Sequence, residues 1–105
     1  MMDVSTSAMA SRLGALSHPT RIAILRHLSR ADACCCKDVV GRLDLAQSTV
    51  SQHLKVLVEA GLVRLTIERQ RSIYEIDRQA LAELSRSVAG LVESCCVPAS
   101  CGDRA

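Results

Sequence analysis

Few folds accommodate the stretch from Ala46 to Gly61, A-Q-S-T-V-S-Q-H-L-K-V-L-V-E-A-G, together with its continuation L-V-R-L-T-I. Val50, Leu54 and Leu57 recur at spacings of four and three, which sets them on one stripe of a helix. Gln47, Ser48, Thr49, Ser51, Gln52 and Lys55 fill the remaining positions of its leading turns. Gly61 stands where a left-handed residue closes a helix, and an extended run follows it. A helix with an apolar back and short polar residues in front suits the DNA major groove. There, Ser, Thr, Gln and Lys read base edges or hold phosphates. An ordinary amphipathic surface helix carries the same pattern, so the flanking elements must decide.

Ser5 to Ser17 reads as a first helix, with Met9, Leu13 and Leu16 as its apolar stripe. His18-Pro19 interrupts it, and Thr20 to Ser29 forms a second helix behind a proline suited to a first turn. Ile22, Leu25 and Leu28 are its expected inner face, thickened by Ile24. Arg30 to Cys34 is a short connection, and Cys35 to Leu43 is expected as a third short helix with Val39, Val40 and Leu43 inward. Asp44-Leu45 then turns into the helix described above, which makes the pair a helix-turn-helix. Leu62 to Glu68 and Ser72 to Asp77 alternate and are rich in Ile, Val, Thr and Tyr, as a hairpin requires. Its tip, Glu68-Arg69-Gln70-Arg71, has no Gly or Asn, which predicts a loop longer than two residues. A last helix runs from about Arg78 to Ser94, with Leu81, Leu84, Val88, Leu91 and Val92 in a near-heptad seam. Pro98 stops its continuation.

The chain has 105 residues, no Phe or Trp and one Tyr, so a single small domain with an aliphatic core is expected, trailed by a cysteine-bearing tail from about residue 94 to 105. A core of that size is marginal alone, which favours a homodimer. The net charge of +2 is slight, so any contact with nucleic acid must come from a local basic patch. No signal-peptide pattern and no apolar run of membrane-spanning length is present, and a cytoplasmic location is expected. Six cysteines in a reducing compartment point to metal, metalloid or redox chemistry rather than to a disulfide scaffold.

Helices, a helix-turn-helix, a basic hairpin and a closing helix, in that order, describe a winged helix-turn-helix, mainly α with a small β-hairpin (α+β). On A-L-S-H-P-T-R-I-A-I-L-R-H-L (15–28), S-T-V-S-Q-H-L-K-V-L-V-E-A-G-L-V (48–63) and the wing R-Q-R-S-I-Y-E-I (69–76), the sequence resembles the ArsR/SmtB family of bacterial metal- and arsenic-responsive repressors. The resemblance implies a homodimer on double-stranded, palindromic operator DNA that leaves when an inducer binds. It places the helix from Gln47 to Ala60 in the major groove, with Gln47, Ser48, Thr49, Ser51, Gln52 and Lys55 at the DNA. His53 belongs to the same pattern, as a phosphate-side or structural residue. Arg69 and Arg71 on the wing suit the minor groove or phosphates.

The cysteines fall in two clusters, Cys34-Cys35-Cys36 and Cys95-Cys96 with Cys101. Thiolates are soft donors that select soft ions, trivalent arsenic and antimony among them. Trivalent arsenic takes three sulfurs in a pyramid, whereas zinc prefers four ligands in a tetrahedron. The arsenic repressors that this chain resembles carry C-V-C-D-L-C before the recognition helix. Here Cys35 takes the first of those positions, while Lys37 and Val40 take the other two. Other arsenic-responsive members carry an adjacent pair and a nearby third cysteine at the C-terminus, and Cys95, Cys96 and Cys101 follow that arrangement. They are the expected metalloid ligands, with Cys34, Cys35 and Cys36 as the alternative set. Zinc sensors of the family use acid and histidine positions on the last helix; Asp77 is present, but Gln79 and Gly90 replace the histidines. A thiol-redox switch on the same fold is the rival to metalloid sensing. Neither a C-x-x-C near a βαβ unit nor a Ser-His-Asp or H-E-x-x-H pattern occurs, so an enzyme is not expected.

Overall fold

A computed structural model describes residues 4–30, 34–35, 39, 41 and 43–97. The elements are α1 (Val4–Leu16), α2 (Pro19–Ser29), β1 (Cys34–Cys35), α3 (Gln47–Glu59), β2 (Val63–Glu68), β3 (Arg71–Ile76) and α4 (Arg78–Cys96). Val39, Gly41 and Leu43 also have helical backbone and lie between β1 and α3. Helices surround an aliphatic core, and a three-stranded antiparallel sheet of order β1-β3-β2 stands beside them. This is the winged helix-turn-helix architecture, mainly α with a small sheet.

The core is built from Ala15, Ile24, Leu28, Val39, Val50, Leu54, Leu57, Leu62, Val63, Ile76, Ala80 and Leu84, with no buried polar or charged residue among those described. All four helices, β2 and β3 contribute to it, so α3 is held from behind by most of the domain. Most of the expected inner faces pack on the core, Met9 and Leu16 on α1 and Ile24, Leu25 and Leu28 on α2, and one residue of each stripe is turned out. On α2 the inward residues are Ile24 and Leu28, while Ile22 is 39% exposed. On α1, Ala15 is buried and Leu13 is 38% exposed, because the helix turns Arg12 inward to meet Glu83 of α4 at 3.3 Å. Both helices carry apolar residues on more than one face, so spacing alone could not choose the phase. Val40 lies outside the described residues.

The helix ends follow from local chemistry. His18 caps α2, its Nδ1 accepting the Thr20 N–H at 3.0 Å, and Pro19 takes the first helical position, where no N–H is needed. Asp77 caps α4 by accepting the Ala80 N–H at 3.0 Å. At the end of α3, Gly61 has φ +83, its N–H donates to the Val58 carbonyl at 3.0 Å, and the Leu62 N–H donates to the Leu57 carbonyl at 3.1 Å. That pair of bonds is a Schellman motif, completed by the buried side chains of Leu57 and Leu62. It swings the chain directly from α3 into β2.

The hairpin departs from the sequence expectation. Glu68 pairs with Arg71, which leaves only Arg69 and Gln70 in the loop, at φ 48 and φ 69. Two consecutive left-handed residues make a type I′ turn, whose twist matches that of the strands even though neither residue is Gly or Asn. The sheet's register overrides the local preference at a cost in strain. Gln70→Gly is therefore expected to stabilise the domain by about 0.5–1 kcal/mol, read as a higher urea midpoint at unchanged slope.

The second departure is β1. Cys34 pairs with Tyr74 and Cys35 with Ile73, antiparallel, so Cys35 is extended where a helix was expected. The wing strand β3 lacks a partner on that side in the two-stranded expectation, and β1 satisfies its backbone groups there. α4 extends two residues past the expected Ser94, to Cys96, and its last turns leave the core: Leu91 and Val92 are 47% and 50% exposed. Among the described residues, no helix is long and apolar enough to cross a membrane.

Candidate nucleic-acid interface

α3 has 13 residues, hence a length of about 20 Å at 1.5 Å per residue. Val50, Leu54 and Leu57 are fully buried, which fixes the rotation of the helix about its axis. At 100° per residue, Ser48, Gln52 and Lys55 then point directly away from the core. Gln47, Ser48, Thr49, Gln52 and Lys55 are all exposed, while Ser51 and His53 are half-buried on the flanks. Ala46 precedes the helix in extended conformation and supplies no side-chain cap. The opening N–H groups of α3 are thus left to other acceptors, and a backbone phosphate is the acceptor a helix N-terminus favours.

On the wing, Arg69 and Arg71 are exposed at and beside the turn. Arg64 of β2 lies 3.7 Å from Glu75 of β3, an exposed cross-strand ion pair that contributes little to stability. Arg69 stands apart from that pair, at the tip of the hairpin.

His53 differs from its neighbours. Its ring lies 4.5 Å from that of His18, tilted by 49°, so it is turned toward the start of α2. Burial, His18 and Arg21 together hold its pKa below 6.5, in that order of importance. The roles of His18 as a helix cap and of Arg21 as a neighbour of His53 were not legible in the sequence. Histidine is outside the residue types that signal an N-cap, and Arg21 meets His53 only through the packing of α2 on α3.

Cys95 and Cys96 are the last two residues of α4, exposed and with free thiols. Cys101 lies outside the described residues, as does Cys36 of the alternative set. Cys34 and Cys35 occupy strand backbone against β3 and do not open a helix. Among the described residues, no three His, Cys, Asp or Glu side chains gather to hold a metal ion.

Comparison with known proteins bears on this arrangement. Residues 16–66 match the model of a helix-turn-helix domain family, a span covering α2 through most of β2. The HTH-type transcriptional regulator YgaV of Escherichia coli is 31% identical over 80 residues, spanning 76% of this chain and 81% of the relative. The arsenical resistance operon repressor of Staphylococcus xylosus is 28% identical over 85 residues, 81% of each chain. A solved ArsR-like transcriptional regulator from Rhodococcus superposes with a TM-score of 0.76 at 26% identity, over 85% of this chain and 83% of the other. The chain belongs to the ArsR/SmtB family of helix-turn-helix transcriptional regulators. As a member of that family it is a DNA-binding regulator and not an enzyme. The family's helix-turn-helix corresponds here to the helical residues around Val39–Leu43 and α3, and its wing to β2 and β3.

Proposed function

We propose that the chain is a homodimeric repressor that reads operator DNA through α3 and the wing, and that trivalent arsenic or antimony bound by Cys95, Cys96 and Cys101 releases it. The observation that carries the DNA half is the division of α3 into a fully buried stripe and an exposed polar face made of Gln47, Ser48, Thr49, Gln52 and Lys55. Ser51 at the flank and Arg69 and Arg71 of the wing complete the proposed DNA-binding set, while the His53 ring is turned toward His18. Gln52, at mid-helix and directly outward, is the residue placed to reach a base edge. Lys55 and the wing arginines supply charge toward phosphates.

Support for the inducer half comes from the place of the thiols. Soft, exposed, unpaired sulfurs fit the donor chemistry of a trivalent metalloid. They also stand at the end of a helix whose terminal turns carry exposed Leu91 and Val92. A second copy of the chain covering those residues would make α4 a dimer seam, with the inducer thiols at its margin. Drawing Cys95, Cys96 and Cys101 onto one ion would distort the helix end and shift the two recognition helices relative to each other. Half-sites about one DNA turn apart tolerate little change in that spacing. A homologue that represses an arsenical resistance operon adds weight to this choice of inducer.

The test is binding of the purified chain to duplex fragments, with and without arsenite, under reducing conditions. Gln52→Ala is expected to cost about 1–3 kcal/mol at the preferred duplex and to relax its sequence preference, whereas Lys55→Ala should weaken all duplexes alike and lower the salt slope by about one. A complex that survives saturating arsenite would overturn the inducer half. Release by peroxide and not by arsenite would instead favour a thiol-redox switch.

A further inference from the structure

Where α2 meets α3, two imidazoles and one guanidinium share a small space. His18 accepts the Thr20 N–H at Nδ1, and a ring nitrogen that accepts a hydrogen bond carries no proton. The capping bond engages Nδ1 of His18 as acceptor and holds the ring in place at the start of α2. His53 stacks against that ring at 4.5 Å and 49°. It lies on the edge of α3, one turn from the fully buried Val50 and Leu57, between the core face and the outward polar face. Arg21, on the first turn of α2, has its Nε buried without a hydrogen-bond partner.

Each group that acts electrostatically on His53 disfavours its charged form. α2 presents His18 and Arg21, the two groups that act on it electrostatically. α1, also packed on α3, presents Arg12, which is occupied by Glu83 of α4. β2 contributes Arg64, which faces Glu75. Among the described residues, no carboxylate acts on His53 to offset a positive charge there.

We propose that His18 and His53 are positioning residues: the contact between their rings sets the stance of α3 against α2, and high-affinity DNA binding requires His53 uncharged. The proposal rests on the reading of α3 as the DNA-contacting helix. It gives His53 a role opposite in sign to that of a phosphate contact. A histidine that touches phosphate binds DNA more tightly as it gains a proton; a neutral spacer wedged beside a guanidinium binds less tightly. The depressed pKa of His53 points the same way, since desolvation, His18 and Arg21 each disfavour its charged form.

The experiment measures affinity of the full chain at constant ionic strength between pH 7.5 and 5.5, on a duplex selected from a random pool at pH 7.5. The helical circular dichroism signal is followed at each pH to hold the folded fraction known. Wild-type affinity is expected to fall as the pH drops below 6.5, because the competent state holds the His53 pKa below that value and so binds fewer protons. His53→Gln should flatten that profile. His53→Arg should bind weakly at every pH, and His18→Asn, which keeps a good N-cap without the ring, should weaken binding at pH 7.5 with little change in Tm. Affinity that rises or stays level as the pH falls, or tighter binding by His53→Arg, would overturn the proposal while leaving α3 as the DNA reader. If the wild type selects no duplex at pH 7.5, the reading of α3 falls and this proposal with it. The wild-type profile alone decides between these outcomes should a variant fail to fold.

Discussion

Leu54→Ala is expected to destabilise the domain by about 2–5 kcal/mol, the range for truncating a fully buried leucine. Leu54 has no exposed surface and lies at the centre of the α3 stripe, with Val50 and Leu57 on either side. A chain of 105 residues has a total stability of about 5–15 kcal/mol, by the usual 0.05–0.15 kcal/mol per residue. One missing side chain therefore removes a large share of it. The core offers little to refill the space, because it contains no Phe or Trp and its members are branched aliphatics already in contact. The outward residues of α3 are untouched by the substitution. DNA binding should consequently be lost in proportion to the unfolded fraction and restored at low temperature or by saturating duplex, since a ligand that binds only the folded state stabilises it. Urea unfolding with and without duplex measures both effects. A loss below about 1 kcal/mol would mean that α3 is not seated as described.

His53 contributes a pH dependence of the same kind on stability. Its pKa is lower in the folded chain than 6.5, so the unfolded chain binds more protons as the pH drops through that region. Stability is at its full value above 6.5, declines as the pH falls below it, and stops declining beneath the folded-state pKa.

The recognition helix was legible because its pattern has one solution. Three apolar residues at four-three spacing and a closing glycine define both its phase and its end, and the structure has both. α1 and α2 were legible as helices and in most of their inward residues, but Leu13 and Ile22 are turned out, since Ile22, Ile24, Leu25 and Leu28 permit more than one inward stripe until α3 and the sheet are present to choose. The turn at Arg69-Gln70 was misread because local preference for Gly or Asn is worth about 1 kcal/mol, less than the pairing of two six-residue strands. β1 has two residues and no periodicity, and only its partner β3 makes it a strand. The interface divides in the same way. Exposed polar residues of α3 follow from its phase, whereas the contact between His18 and His53 joins residues far apart in the chain and is visible only in the packed structure.

Serine at Cys95 and Cys96 is expected to abolish arsenite-driven release while leaving duplex affinity within about twofold of wild type. The substitution exchanges a soft thiolate for a hard, protonated hydroxyl of similar size, so the ligand chemistry is removed and the shape is nearly kept. Both positions are exposed beyond the last core residue of α4, where surface replacements alter stability by no more than about 0.5 kcal/mol. Carrying an operator from 99% occupied to 99% free requires about a 10⁴-fold preference of the inducer for the weakly binding shape, about 5.5 kcal/mol. Two exposed thiols alone form only two of the three bonds that trivalent arsenic accepts, so Cys101→Ser should reduce arsenite affinity steeply without altering the stoichiometry of one site per chain. Serine at Cys34, Cys35 and Cys36 should leave arsenite affinity at the wild-type value, although Cys34 and Cys35 lie on the strand that flanks the wing. Titrations with arsenite under reducing conditions, read by duplex anisotropy, separate the two clusters in one experiment. Release that persists in Cys95→Ser/Cys96→Ser and disappears with the Cys34 to Cys36 replacements would move the sensing site from the end of α4 to the side of the wing. The inducer would then act on the wing strand β3, through backbone pairs with Tyr74 and Ile73, and not on the spacing of two subunits.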